Sequence, residues 1–267
     1  MNDTRSLETE LERARELSVA ELADAIESIG FECTRCGACC KGHEGADGEG
    51  TEPHTATVFP DEIRTLQSAE DGHTGSVGDG HTESVGDDRT GPDGDAAASE
   101  KAYDWRDVAR PMPYGIVEGD DGPEGETFEW ALQTDACGDC AFYEERESGD
   151  GAGTTGACRV HDDRPLICET YPFSVALGGT SQPMGEAVDE AGMVRAHECE
   201  GLGRDISRDD AEALATALKE RAVRELTEAI GVRDNYGPVD QSAQDGVVVY
   251  DSEGPKRPDG TAIRDAE

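Results

Sequence analysis

The sequence predicts a small α+β fold, irregular and nucleated by metal, with helices flanking it at the N- and C-terminal ends. Three observations predict it. Short helical and strand patterns alternate along the chain. Leu, Ile, Val and Phe number only 41 of 267 residues, too few for a large apolar core in so charged a chain. The nine cysteines fall into two blocks. Bound metal can supply what the core lacks, since a structural zinc site contributes about 10–16 kcal/mol of folding free energy in small peptides.

The elements follow in order. Residues 6–17 place Leu7, Leu11 and Ala14 at helical spacing. Residues 18–29 predict a second helix: Ser18 and Glu21 form a capping-box pattern, Leu22, Ile26 and Ile29 share a face, and Gly30 stops it. "TATVFPDEIRTLQ" predicts a short strand ending near Phe59, then a helix opening at Pro60 with acidic residues in its first turn. Residues 68–100 predict a disordered acidic insertion, because "DGHTGSVG" is followed at once by "DGHTESVG", two copies too few and too polar for a solenoid. His73 and His81 recur there, but one histidine per flexible repeat makes a poor metal site.

Order resumes near Tyr103. In "ETFEWALQTD", Phe128, Trp130 and Leu132 alternate as in a half-buried strand. Ser207 and Asp210 open a long helix to about Ile230, with Leu214, Leu218, Ala222 and Leu226 in register and Gly231 as its end. Val247 to Tyr250 is the one apolar run of an otherwise loose tail. The chain thus divides into 1–67 and 101–231 as two parts of one domain, the insertion 68–100, and an acidic tail 232–267.

Charge narrows the function. The chain holds 61 acidic and 23 basic residues, a net charge of −38, and only four of the basic residues are lysines. Such self-repulsion is screened in concentrated salt, where the Debye length falls to about 3 Å at 1 M. The balance resembles the surfaces of salt-in halophiles. Nucleic acid is excluded as a partner because phosphate contacts need clustered Lys or Arg. No stretch approaches the ~20 apolar residues of a membrane span, and the charged N-terminus lacks an apolar signal core, so a cytoplasmic location and no membrane are expected. Cytoplasmic thiols stay reduced, and an odd cysteine total also argues against a disulfide framework.

"FECTRCGACCKG" therefore reads as a set of metal ligands. Cys33, Cys36 and Cys39 are spaced C-x2-C-x2-C, which lets a chain fold around one centre. The spacing opens the bacterial ferredoxin run, and C-x2-C is also the half-site of a zinc ribbon. Cys40 departs from both patterns. In an extended segment adjacent side chains point to opposite faces, so Cys39 and Cys40 are expected to serve two centres or to bridge them. Residues 31–41 carry two basic side chains, Arg35 and Lys41, against one acidic, which favours thiolates nearby. A second block holds Cys137, Cys140, Cys158 and Cys168, and Cys199 follows in "HECEGLG".

The combination of "CTRCGACC", a downstream "CRVHDDRPLICETYPF" and a later "CEG" resembles the YkgJ-type cysteine-cluster family, whose zinc- or iron-chelating CxxCxxCC domain is often labelled an iron–sulfur oxidoreductase. Some relatives are flagellin lysine methylases. The resemblance covers residues 20–66 and 125–203 and implies as metal ligands Cys33, Cys36, Cys39, Cys40, Cys140, Cys158, Cys168 and Cys199. Cys137 has no counterpart and stands as a spare thiol. His161 occupies a position where an aromatic or histidine is usual and is not promoted to a ligand. Arg164 and Arg159 could each steady thiolate charge or pair with a carboxylate, Pro165 starts a short helix, and Tyr171, Pro172 and Phe173 are read as packing around the site. His43 and His197 sit near cysteines as possible substitutes.

No phosphate-binding loop, dinucleotide fingerprint or G-x-S-x-G is present, and a radical S-adenosylmethionine motif would need C-x3-C-x2-C. Three readings follow: an iron–sulfur protein in electron transfer or redox catalysis with a protein redox partner, a zinc protein whose metal is structural and whose surface binds a partner, and a methyltransferase-like enzyme. Overlapping C-x2-C steps favour iron–sulfur, because zinc ribbons pair separated knuckles.

Overall fold

The computed structural model describes residues 5–44, 50–69, 103–120, 122–147, 154–183, 187–189, 192–239 and 246–263. The tandem repeat, with His73 and His81, lies outside the described residues. The chain is α+β, as its sequence predicts. Its helices are α1 (Leu7–Glu16), α2 (Val19–Ile29), α3 (Pro60–Ser68), α4 (Trp105–Val108), α5 (Leu166–Glu169) and α6 (Arg208–Asn235). Serine starts three of them: Ser6, Ser18 and Ser207 accept hydrogen bonds from the backbone N–H groups of Thr9, Glu21 and Asp210.

Two apolar cores form. In the first, α1, α2 and α6 pack Leu11, Leu22, Ile26, Leu218 and Leu226 against Phe173 and Val175. These last two lie on a three-stranded antiparallel sheet in which Val194–His197 runs between Phe173–Val175 and Ala187–Asp189. In the second core, Ile63 and Leu66 of α3 cover Val58, Trp130, Leu132 and Phe142. Here Trp130–Leu132 is the central strand, flanked antiparallel by Thr57–Val58 and Ala109–Pro111. The cysteine loop between α2 and α3 connects one core to the other.

Three sequence expectations change. The strand at Trp130 is buried on both faces rather than one, and Phe128 lies outside it, half-exposed, with its ring stacked on Tyr250 at 5.6 Å. The expected loose tail is built into the fold. Val247–Asp251 is buried throughout and lies between Gly254–Lys256 and Gly122–Thr127, pairing parallel to the latter. Its Asp251 is 2% exposed and accepts from Trp130 Nε1 at 2.8 Å and Lys256 Nζ at 2.6 Å.

The third change is at Gly231, which does not end α6 but lies inside it. A Cβ there would stand 2.6 Å from the Ser252 Cβ and 3.1 Å from its Cα. Glycine is present because helix and tail approach too closely for a side chain. Gly→Ala inside a helix ordinarily gains about 0.4–1 kcal/mol, but contact at this distance forces the strand away and costs about 1–3 kcal/mol. Gly231→Ala is therefore expected to lower the urea midpoint; an unchanged or raised midpoint would show that the tail yields freely. Among the described residues no helix is long and apolar enough to cross a membrane.

Candidate metal centre

The loop after α2 bends where its residue types require. Gly30 (φ 77°) leaves the helix, and Arg35 (φ 56°) and Gly37 (φ 78°) adopt left-handed backbone before a single 3-10 turn, Ala38–Cys40. At Gly37 a Cβ would meet the Tyr143 hydroxyl at 2.3 Å, so only glycine lets the loop settle on the hairpin formed by Tyr143–Glu147 and Thr154–Cys158. Gly156 N–H donates to Arg35 O at 2.7 Å on that side. On the other side the "CEG" turn is held by Glu32 N–H to Gly201 O at 3.0 Å and Gly203 N–H to Gly30 O at 3.0 Å. The cysteine loop is clamped between the two later cysteine-bearing segments.

That clamp sorts the thiols. Cys40, Cys140, Cys158 and Cys168 share the second apolar core with Phe142, Val160 and Ile167. Cys140 N–H donates to Cys40 O at 2.8 Å, which ties the two blocks backbone to backbone. Cys158 closes its strand, and Cys168 rides on α5. Glu62 anchors that helix: one carboxylate oxygen accepts from Leu166 N–H and the other from Phe59 N–H, each at 2.9 Å. Sequence reasoning placed Glu62 in the first turn of α3 but could not show that it reaches α5. Cys33, Cys36 and Cys199 form an outer set; the Cys199 thiol accepts from Gly201 N–H at 3.4 Å and is pushed up by burial and by the charges of Cys36, Cys39 and Cys33.

Cys39 stands between the sets. Its Sγ lies 3.8 Å from that of Cys40. The two residues are in a 3-10 turn rather than an extended segment, so their side chains do not point apart as the sequence suggested. The Cys40 hydrogen bond holds the Cys39 thiol down to about 7, whereas Cys40 itself is held protonated by that contact and by burial. Burial pushes Cys140 up to about 11 and Cys168 well above the ordinary thiol range, with neighbouring thiols adding to both. Cys158 is raised by burial, against which the Arg164 and Arg159 charges act. Cys137 is exposed on a turn pinned by Asp135 Oδ1, outside both sets.

As the side chains stand, no three Cys, His, Asp or Glu groups among the described residues converge closely enough to hold a metal ion. The donor chemistry nonetheless fits a soft cation. All nine cysteines are free, and four of them pack at the edge of one apolar core, where ionising more than one is opposed unless positive charge is brought in from outside. The basic residues of the region are mostly engaged elsewhere: Lys41 pairs with Glu145 at 2.5 Å, and the Arg164 guanidinium rests on His161, 3.0 Å from Nδ1. Pro165 caps α5, as expected of it.

Phe173 and Pro172 are buried packing, and Phe173 meets the Phe31 ring edge-on at 5.6 Å. Tyr171 is half-buried beside them. Its hydroxyl donates to Glu198 O at 2.5 Å, next to Cys199, and its phenol is raised by burial and by the charges of Cys199, Cys39 and Cys36. Neither suggested histidine turns to the thiols: His197 Nε2 lies 3.1 Å from Ser174 Oγ, and His43 Nε2 lies 3.3 Å from Glu52. His54, a buried residue, is held down to about 4 by burial and the Arg110 charge.

That depression has a sign. A histidine of folded value about 4 and unfolded value 6.5 adds stability above pH 6.5, lost as pH falls from 6.5 through 4, on the order of 3 kcal/mol in full. His54→Gln is expected to flatten acid unfolding across that window in urea titrations at stepped pH; an unaltered slope would contradict it. Comparison of the chain with protein-family models, with curated proteins and with solved structures gives no match.

Proposed function

We propose that the protein is a thiolate-ligated metal protein holding iron–sulfur in two adjoining centres and acting in electron transfer or redox catalysis with a protein partner. One observation carries the reading. Cysteines from distant parts of the chain are gathered into an inner set, Cys40, Cys140, Cys158 and Cys168, and an outer set, Cys33, Cys36 and Cys199, with Cys39 between them, while Cys137 stays out. The resemblance to YkgJ-type proteins supports the same eight residues. When bound, such a cluster supplies a one-electron redox couple whose potential depends on burial and on hydrogen bonds to sulfur.

The chain's own residues divide the work. The inner set packs against Phe142, Val160 and Ile167, which shield it in part from water. The outer set is open, since Cys33 and Cys36 are exposed and Cys199 is half-buried, and the Gly201 N–H already donates to the Cys199 sulfur. Anaerobic purification is expected to give a brown protein whose broad visible absorbance bleaches with dithionite and which releases stoichiometric acid-labile sulfide. A colourless protein with tightly held zinc and no sulfide would reject iron–sulfur.

Zinc is the second reading, and the Cys39–Cys40 contact fits it as one chelating pair. Two sulfurs on one tetrahedral zinc, each at about 2.3 Å, lie about 3.8 Å apart. The observed separation is 3.8 Å.

A further inference from the structure

A cavity of about 300 Å³ opens beside α6, with no cysteine in its lining. Its walls are apolar: Val58, Phe59, Met112 and Trp130 line it, and Tyr114 and Phe128 stand at the mouth, 74% and 47% exposed. The Phe128 ring continues the apolar surface outward onto Tyr236, 5.8 Å away and itself 44% exposed. The polar side carries four carboxylates, Glu129, Glu225, Glu228 and Asp251. Two are already neutralised. Asp251 pairs with Lys256 at 2.6 Å, and Glu225 with Arg221 at 2.9 Å.

Glu129 and Glu228 have no ion-pair partner among the described residues. Arg224, stacked on the nearby Phe59 ring at 4.8 Å, is committed to Asp61. Glu129 stands at the exposed edge of the cavity, and Glu228 is half-buried in its wall, where it accepts from Ser252 N–H at 2.9 Å. Burial raises both, Glu225 and Glu228 raise Glu129 further, and the Ser252 hydrogen bond and the Lys256 charge act against the rise at Glu228. An apolar groove ending in carboxylates that lack an ion-pair partner is complementary to a cation on an apolar stem, and aromatic walls add cation–π attraction.

We propose that this cavity receives an arginine or lysine side chain from an extended basic segment of a partner protein, with Glu129 and Glu228 meeting the charge and Phe128 and Tyr236 meeting the flanking residues. The exposed rings beyond the mouth supply a surface that a free amine would leave unused, and a net charge of −38 draws basic segments toward the chain. The proposal is independent of the metal reading.

Fluorescence anisotropy tests it with a labelled peptide carrying one central arginine between leucines. The titration is run in 1 M KCl, where screening at about 3 Å removes diffuse attraction. The arginine peptide is expected to bind and its glutamine counterpart not to. Glu129→Gln with Glu228→Gln is expected to weaken binding at least tenfold, although it removes only two of 61 acidic residues. Glutamine preserves the acceptor that Glu228 offers to Ser252 N–H, and unchanged near-ultraviolet circular dichroism confirms the fold. Phe128→Ala, at an exposed position, is expected to weaken the peptide independently. Equal affinity for both proteins would overturn the proposal, because attraction would then belong to the whole acidic surface. Displacement by spermidine with no contribution from the leucines would overturn it too, in favour of a free polyamine.

Discussion

Cys168→Ser is expected to release metal and to unfold the second core. Cys168 reaches the inner set from α5, inside a core of modest size. Domains of this length retain only about 5–15 kcal/mol of stability, and one structural metal can supply all of it. Serine keeps the shape but replaces a soft ligand with a hydroxyl that stays protonated, so the metal loses a partner. Metal analysis and far-ultraviolet circular dichroism after anaerobic purification should show both losses. Cys36→Ser, on the exposed loop, is expected to lower metal content while the helical core of α1, α2 and α6 persists. Cys137→Ser is expected to change neither. If Cys137→Ser strips metal as thoroughly as Cys168→Ser, the division of ligands from spare thiol is wrong.

Arg221→Leu is expected to cost about 3–5 kcal/mol, the second large effect. The guanidinium is 2% exposed and satisfies four groups: Glu225 at 2.9 Å, Thr170 Oγ1 at 3.0 Å, Phe173 O at 3.1 Å and Ser181 O at 2.8 Å. Leucine leaves the Glu225 carboxylate buried without a cation and takes one donor from each of two carbonyls, of which Ser181 O keeps only a long contact from Gln182 Nε2 at 3.4 Å. Removing Glu225 as well relieves the first penalty and not the second. Arg221→Leu with Glu225→Leu is therefore expected to recover part of the loss in urea titrations and not all of it. Full recovery would mean that the carbonyls find other donors.

Local rules were legible where neighbours in sequence are neighbours in space. The serine caps, the leucine register of α6, the strand before Phe59 and the helix from Pro60 all depend on contacts within a turn or two. The cysteine spacing was legible for the same reason, since C-x2-C is a local device. Gly231 shows the limit. Read alone it is a helix stop, and only the approach of Ser252 from the tail explains why it continues the helix. Phe128 fits an alternating strand by pattern, yet it stacks on Tyr250, more than a hundred residues on, which no local period encodes.

By itself the sequence determined that the chain is acidic, poor in core, α+β and provided with grouped thiols, because composition and short spacing carry those properties without a fold. The tertiary structure decided how the thiols are shared. Cys39 and Cys40 stay together because the loop makes a 3-10 turn, and that turn exists because Gly37 lies against Tyr143. It also decided that the tail is a buried strand and that Glu129 and Glu228 share a cavity, through pairings of distant residues whose energy is absent until the chain has closed.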